Sequence, residues 1–527
     1  MKILKSSGLM AAATLMSRML GLVREMVYAR FLGDGPIKGA FDYAFMIPNL
    51  FRRLLGEGAL TAAFIPIFKK KEKDEGEIAM WQSANAVISG LIFASLIIIG
   101  VTLLILTIVI DNHDPMTKTG IMFRLMRLMF PYMFFVCLAA TFMGMLNAHG
   151  FFFIPALGAT LLNVVMITTV LVFVPFIQGG LDNKIFGLGY GVLLAGVAQA
   201  FFQLPFLMRN GYRLKWVSPW SNPVVSEVIK KMIPGTIGVA AFQINMLITQ
   251  GVAFWMDGQT GEGSIVASFN YAVRLMEFPQ GVFGVSLFTY LLATLSGLVA
   301  DKNYDKFRST LNEGLNYLSF LNIFAAVFTF IMAEPIVRLV FEGGEFTRGS
   351  SQRASLALMS LAPSLISFSF VGSYSRGFYA LGDVKTPMKI SIFCLFFNLI
   401  LSLVLIQPFR QAGLGIANSF SSLVNFGLLT YAMRLKLKKL DWGDLPKQIG
   451  KMLISAVFAG QVVWVLKNYL LSGAAESESL NFWLKIIHVF IPMVVGFSVY
   501  WGLCEFLKIR ATRDIAKTLL DVIKRRD

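Results

Sequence analysis

The chain has few of the residues that most often bind metals or act in catalysis, cysteine and histidine. Its 527 residues include three cysteines and three histidines. The cysteines all lie in apolar stretches, so they form neither a metal-ligand spacing nor a disulfide framework. The sequence also lacks a phosphate-binding loop of the G-x-x-x-x-G-K-[ST] type, an H-E-x-x-H motif and a G-x-S-x-G motif. We therefore predict no catalytic residue, no metal site and no cofactor.

Charged residues are scarce, and those of negative sign are the scarcer. Only 15% of the residues are charged, with 30 acidic against 47 basic, whereas 56% are hydrophobic. A soluble domain could not bury so much apolar surface. The basic residues cluster in short loops between apolar runs, and the alternate loops have few of them. This pattern indicates cytoplasmic loops rather than nucleic-acid binding, and it predicts cytoplasmic termini and an even number of spans.

The apolar runs predict an all-α, multi-pass membrane protein with about fourteen transmembrane helices. The first run follows Lys2 and Lys5 and resembles a signal peptide, but no convincing cleavage site follows, so we expect it to be retained as a span.

An internal repeat divides the predicted spans. FDYA at 41–44 matches FNYA at 269–272, Pro131 matches Pro363, and GLG at 187–189 matches GLG at 413–415, in the same order. Six spans per half is an even number, so the symmetry axis should run along the membrane normal. We predict an N-lobe, a C-lobe, two additional C-terminal helices and a basic cytoplasmic tail, with the boundaries 1–220, 221–440, 441–510 and 511–527.

Ionisable side chains inside the predicted spans require an explanation, because placing a charged side chain at the bilayer centre costs at least ~2.5–3.5 kcal/mol. We single out those of the first span and of the second span of each half: Arg18, Arg24, Arg52, Arg53, Glu57, Arg274 and Glu277. Transporters built from two repeats place their substrate near the midplane between the halves. Arginines outnumber glutamates here, and their planar forks suit phosphate oxygens, so we expect an anionic, phosphorylated substrate.

Structural explanations stay open for each of these charges. Arg53 and Glu57 are spaced i,i+4, Arg274 and Glu277 are spaced i,i+3, and both spacings allow local ion pairs within one helix. The two arginines of the first span could extend from a helix end to the membrane surface.

Four segments carry a family resemblance: SRMLGLVRE at 17–25, PNLFRRLLGEGALTAAFIPIF at 48–68, YAVRLMEFPQGVFGVSL at 271–287 and DVKTPMKI at 383–390. They resemble the MurJ (MviN) family of lipid II flippases, within the multidrug/oligosaccharidyl-lipid/polysaccharide exporter superfamily. The resemblance implies fourteen helices, two lobes around a cationic cavity, and a groove for the polyprenyl tail on the last two helices.

The resemblance also implies roles for individual residues. The substrate-binding arginines would be Arg18, Arg24, Arg52, Arg53 and Arg274, and the supporting residues Ser17, Glu57 and Glu277. The family often has an aspartate where this chain has Gly39, and we expect Asp42, nearly one helical turn further on, to take its place.

The expected function is transport of undecaprenyl-pyrophosphate-linked disaccharide-pentapeptide across a bacterial cytoplasmic membrane by alternating access, for peptidoglycan synthesis and cell shape. Its partners would be lipid II, membrane lipids and the cell-wall synthesis machinery, and its energy would come from the membrane potential or a monovalent cation. One alternative is an exporter of another lipid-linked oligosaccharide or of a drug. Another is a membrane enzyme acting on polyprenyl phosphates, which would need water-facing carboxylates or metal ligands.

Overall fold

The computed structural model describes residues 2–54, 60–220, 222–257, 263–280, 285–438, 442–472 and 481–524. Across these residues the regular structure is helical, and the β-structure there is one isolated bridge between Gly343 and Phe346. The predicted all-α class is therefore confirmed. The α-helices are α1 (Lys2–Leu32), α2 (Pro36–Leu54), α3 (Leu60–Glu75), α4 (Glu77–Asp111), α5 (Lys118–Met129), α6 (Tyr132–Ala148), α7 (Phe153–Thr168), α8 (Leu181–Arg209), α9 (Pro223–Met256), α10 (Ile265–Pro279), α11 (Val285–Ala300), α12 (Tyr304–Phe341), α13 (Arg348–Leu361), α14 (Ser364–Ala380), α15 (Lys385–Leu437), α16 (Leu445–Ser472), α17 (Phe482–Phe506) and α18 (Arg510–Lys524).

Several of these helices are long and apolar enough to cross a membrane. Among the described residues there are seven such helices, or up to nine spans if each of two bent pairs counts as one. The multi-pass membrane class is thus confirmed, while the total of fourteen spans stays a prediction. The second predicted span of each half includes parts of two described helices, α2 and α3 in one case and α10 and α11 in the other, and the residues between them, 55–59 and 281–284, lie outside the described part of the chain.

Helix α15 contains two of the predicted spans. It is interrupted at Arg410, where the backbone adopts φ 51° and ψ −127°. The segments before and after Arg410 pack against each other. This is shown by the Ser421 hydroxyl, which donates a hydrogen bond of 2.8 Å to the carbonyl of Cys394. At the turn, a Cβ added to Gly413 would lie 2.2 Å from the carbonyl oxygen of Leu405, so only glycine fits there.

The matched prolines of the repeat lie at matched bends. Pro131 precedes α6 and Pro363 precedes α14, each as the residue at the helix N-cap. The pair α5 and α6 is bent by 43°, and the pair α13 and α14 by 44°. Proline lacks a backbone N–H and cannot continue a helical hydrogen-bond ladder, which explains a bend at each position.

The chain divides into two compact units, Met1–Ala267 and Ser268–Asp527. In the first, α9 packs against α2, α3 and α4, so this unit extends beyond the lobe boundary predicted at residue 220. The lobe boundaries stay predictions. In the second, α12 packs against α13, α14, α16 and α17, which attaches the two additional C-terminal helices to the rest of this unit.

Candidate functional site

The charged site of the first unit begins on α2 with a buried ion pair. The Lys38 ammonium lies 2.6 Å from both carboxylate oxygens of Asp42, one helical turn away. Only 1% of the Lys38 side chain and 13% of the Asp42 side chain are exposed. The i,i+4 spacing places both groups on one face of the helix. Asp42, predicted as a supporting residue, therefore has a cationic partner that the sequence analysis did not name.

A second ion pair lies beside it on α1. Arg24 Nη2 and Glu25 Oε1 are 2.5 Å apart, and each side chain is 11% exposed. The Arg24 guanidinium lies 5.4 Å from the ring centroid of Tyr28, and the Lys38 ammonium lies 5.6 Å from the same centroid. Tyr28 thus connects the two pairs through cation–π contacts.

These contacts change the charge expected around Arg24. Two cations and two carboxylates meet on α1 and α2, so this part of the site is electrically balanced rather than net positive. Glu25 and Lys38 are not among the site residues predicted from the sequence. Glu25 stands inside the SRMLGLVRE segment, and the i,i+4 spacing of Lys38 and Asp42 was the available signal for the second pair.

The remaining predicted residues of the first unit differ in their surroundings. The carbonyl of Ser17 accepts a hydrogen bond of 3.2 Å from Asn163 Nδ2 on α7, and Arg18 follows it, half-buried. Arg53 Nη1 donates to Gln243 Oε1 on α9 at 3.5 Å. Arg52 belongs to α2, but its side chain, like the whole of Glu57, lies outside the described part of the chain.

In the second unit, Arg274 and Glu277 pair with each other. Arg274 Nη1 donates to Glu277 Oε2 at 2.7 Å, across one turn of α10. About a third of the Arg274 side chain and half of the Glu277 side chain are exposed, at 35% and 48%. The local pairing that the i,i+3 spacing allowed is therefore present. An ion pair as exposed as this one contributes little to stability.

Gly39 occupies a position where a side chain would collide. A Cβ built there would lie 2.2 Å from Ser264 Oγ and 3.5 Å from Asp257 Oδ2. Ser264 Oγ donates a hydrogen bond of 2.6 Å to Asp257, whose other oxygen accepts the N–H of Ile265 at 2.6 Å. The carboxylate nearest to the missing side chain at position 39 is thus that of Asp257 at the end of α9. Whether Asp42 takes over the family's aspartate stays a prediction.

Comparison with known proteins tests the family resemblance. A family model described as "Lipid II flippase MurJ" matches residues 28–482. The chain belongs to the MurJ family. A probable lipid II flippase MurJ of Bdellovibrio bacteriovorus is 33% identical over 515 residues, covering 96% of this chain and 95% of the relative. A protein of the same name from Vibrio cholerae is 31% identical over 493 residues, covering 88% of this chain and 89% of the relative.

Solved structures agree on the fold. A structure described as lipid II flippase MurJ in an inward closed conformation aligns with a TM-score of 0.77 at 20% identity, covering 96% of this chain and 99% of that one. An inward-facing multidrug transporter of the MATE family in the MOP superfamily aligns with a TM-score of 0.62 at 15% identity, covering 81% and 99%. The predicted family is therefore confirmed, and the family is one of transporters rather than enzymes.

Proposed function

We propose that this protein moves lipid II, the undecaprenyl-pyrophosphate-linked peptidoglycan precursor, from the inner to the outer leaflet of the bacterial cytoplasmic membrane. The observation that carries the proposal is the match to the lipid II flippase MurJ family over residues 28–482, together with relatives of that name covering nearly the whole chain. Buried and half-buried arginines on α1, α2 and α10, helices that we predict to lie in the membrane, support it, because the pyrophosphate of such a lipid needs cationic partners away from bulk water.

In this proposal the arginines bind the pyrophosphate by exchanging partners. Arg24 is paired with Glu25, and Arg274 is paired with Glu277. A pyrophosphate offers more charge and more oxygens than one carboxylate, so it can displace the glutamate from each guanidinium. When the lipid leaves, the carboxylate returns and prevents an unpaired buried charge. The pairs would thus stabilise the empty transporter and favour release of the substrate.

The polyprenyl tail needs an apolar surface. An apolar cavity of about 480 Å³ lies in the second unit between α12, α14 and α16. Its residues include Val327 and Phe330 of α12, Ile366 of α14, and Val457 and Trp464 of α16. This cavity supports a tail-binding surface on the C-terminal helices, although the predicted groove involved α16 and α17.

The orientation of the chain in the membrane and the energy source of transport are also part of this proposal. The basic loops favour cytoplasmic termini, and the cytoplasmic membrane gives access to newly made precursor and to the cell-wall synthesis machinery. Moving one cavity charge through the field is worth ~2.3 kcal/mol per 100 mV, so the membrane potential could drive the cycle without ATP. A monovalent cation gradient is the other energy source that we propose to test.

The test is made in cells depleted of the protein. An externally added enzyme that cleaves lipid II reports how much of the precursor has reached the outer leaflet. We expect depletion to protect lipid II from cleavage while its total amount rises, and Arg274→Ala to reproduce the block. Arg213→Ala, in an exposed loop, is the matched control and should transport normally. If lipid II stays accessible at an unchanged level, the protein exports a different anionic lipid.

A further inference from the structure

An apolar cavity of about 700 Å³ lies in the first unit, bounded on one side by Phe51 and Leu54 at the end of α2. Its other walls are α4 along residues 87–98, the first turns of α9, and Pro219 and Trp220 in the segment that leads into α9. We call it the α4–α9 cavity. Its volume is in the range of cavities that hold small ligands.

The sequence of α4 indicates where this cavity lies relative to the membrane. The first part of the helix, residues 77–89, contains a glutamate, a glutamine, an asparagine and two serines, whereas residues 90–110 contain no charged or amide side chain. A stretch of about 20 such residues spans the hydrocarbon core, so the membrane boundary crosses α4 near Gly90. The cavity extends from this level to Ile98, about 12 Å further along the helix. Its lining residues Phe93 and Ile98 are 41% and 39% exposed, so the cavity is open to the lipid hydrocarbon.

The segment before α9 borders the cavity at the membrane boundary and is attached to α4. The N–H of Val217 donates a hydrogen bond of 3.3 Å to Ser89 Oγ. Further along the segment, the rings of Trp220 and Phe93 make a T-shaped contact with their centroids 4.9 Å apart, although 74% of Trp220 is exposed. Tryptophan prefers the interface between membrane and water, which agrees with the level deduced from α4.

Basic side chains surround the same end of the cavity. Lys230 of α9 belongs to the lining and is exposed, and among the residues that the structure describes no carboxylate forms an ion pair with it. The end of α3 packs beside the start of α9, where lysines of both helices act on the Glu227 carboxylate. The orientation predicted from loop charge places this cluster at the cytoplasmic surface. It has four lysines and two glutamates, an excess of two positive charges, and its members are Lys70, Lys71, Glu75, Glu227, Lys230 and Lys231.

We propose that the α4–α9 cavity binds an anionic phospholipid of the inner leaflet, with one acyl chain in the cavity and the phosphate at Lys230. An acyl chain is the occupant that the bilayer supplies, and it gives the apolar lining the dispersion contacts that an empty cavity lacks. The excess of lysines at the cytoplasmic end selects a headgroup with a net negative charge. Because α2 and α9 both line the cavity, the bound lipid stabilises the packing of these two helices. The proposal does not depend on which lipid the protein transports.

The test measures lipid binding to the full-length protein, delipidated in detergent, by native mass spectrometry. The probe is phosphatidylglycerol, and phosphatidylethanolamine with the same acyl chains is the matched control, since its headgroup has no net charge. We expect one tightly bound phosphatidylglycerol per protein, with an affinity about tenfold higher than that of phosphatidylethanolamine. Equal binding of the two lipids, or binding of phosphatidylglycerol without saturation, would overturn the proposal.

One variant fills the cavity. Ala94 lines it and is exposed, so Ala94→Phe should fold normally, place its ring in the cavity and abolish the tight binding of phosphatidylglycerol. Gly100→Phe is the matched control, because it adds the same ring to α4 outside the lining, at a position where a Cβ would meet nothing within 4 Å. If both variants bind phosphatidylglycerol as tightly as the unaltered protein, the α4–α9 cavity is not the site.

A second variant tests the headgroup contact. Lys230→Gln should weaken phosphatidylglycerol binding about tenfold and leave phosphatidylethanolamine binding unchanged. Lys447→Gln, at an exposed lysine near the start of α16, is the control and should bind both lipids like the unaltered protein. Equal phosphatidylglycerol affinities of these two variants would show that Lys230 does not hold the phosphate.

Discussion

The Lys38 ammonium and the Asp42 carboxylate form a nearly water-free ion pair, with both oxygens 2.6 Å from the nitrogen. Removing one partner of a buried pair leaves an uncompensated charge, at a cost of about 3–5 kcal/mol, whereas replacing both by apolar residues is often neutral. We therefore expect Lys38→Met to lower the melting temperature strongly and the double variant Lys38→Met/Asp42→Leu to recover most of the loss. Thermal unfolding in detergent checks this, and equal losses in both variants would contradict it.

Glu25 should act as a competitor of the substrate. Glu25→Gln keeps a hydrogen-bond acceptor beside Arg24 but removes the negative charge that a pyrophosphate has to displace. We expect about tenfold tighter binding of lipid II by the purified protein, equivalent to about 1.4 kcal/mol, together with slower transport because release is impaired. Native mass spectrometry and the cleavage assay measure the two effects. Weaker binding in this variant would show that Glu25 positions Arg24 instead.

Gly39 should not tolerate even a methyl group. Gly39→Ala places a Cβ against Ser264 Oγ, and overpacking of this kind costs about 1–3 kcal/mol. Gly297→Ala in α11 is the matched control, because its Cβ would meet nothing within 4 Å and alanine favours the helix by about 0.5–1 kcal/mol. Melting temperatures should fall for the first variant and hold or rise for the second. A neutral Gly39→Ala would mean that α2 and Ser264 separate easily.

Asp383, in the loop before α15, should make stability depend on acid pH. The Lys436 ammonium at 2.5 Å and the N–H and hydroxyl of Thr386, at 3.0 and 2.8 Å, lower the pKa of Asp383 from 3.8 to about 2. A carboxyl group whose pKa is lowered by folding stabilises the folded state at pH values above its pKa in the unfolded chain. This stabilisation disappears as the pH falls from about 4 to about 2. Asp383→Asn should therefore melt lower near neutral pH and lose less than the unaltered protein on acidification to about pH 3. Parallel melting curves across this range would contradict the role of Asp383.

The sequence was sufficient for features that depend on local spacing or on the repeat. The matched prolines predicted that the two halves share a pattern, and both precede bent helices. The i,i+3 spacing of Arg274 and Glu277 predicted their ion pair as one alternative. Hydropathy alone also indicated the membrane class, because apolar length is a property of each segment by itself.

Contacts outside that local geometry could not be predicted. Adjacent residues on a helix point in different directions, so their spacing did not predict the ion pair of Arg24 with Glu25. The collision at Gly39 involves Ser264, which lies far away in the chain and comes near only because α9 packs on α2. The charge around Arg24 also depends on Glu25 and Lys38, which the predicted site did not include, and the cationic cavity stays a prediction.

The equal bends at Pro131 and Pro363 also bear on the history of the chain. A bend shared at aligned prolines is what the duplication of one segment with a bent fourth span would leave. The two copies have since diverged in nearly every side chain around these prolines. The same bend therefore forms in two different side-chain surroundings, which indicates that the proline itself and not the residues packed around it determines the shape of this span.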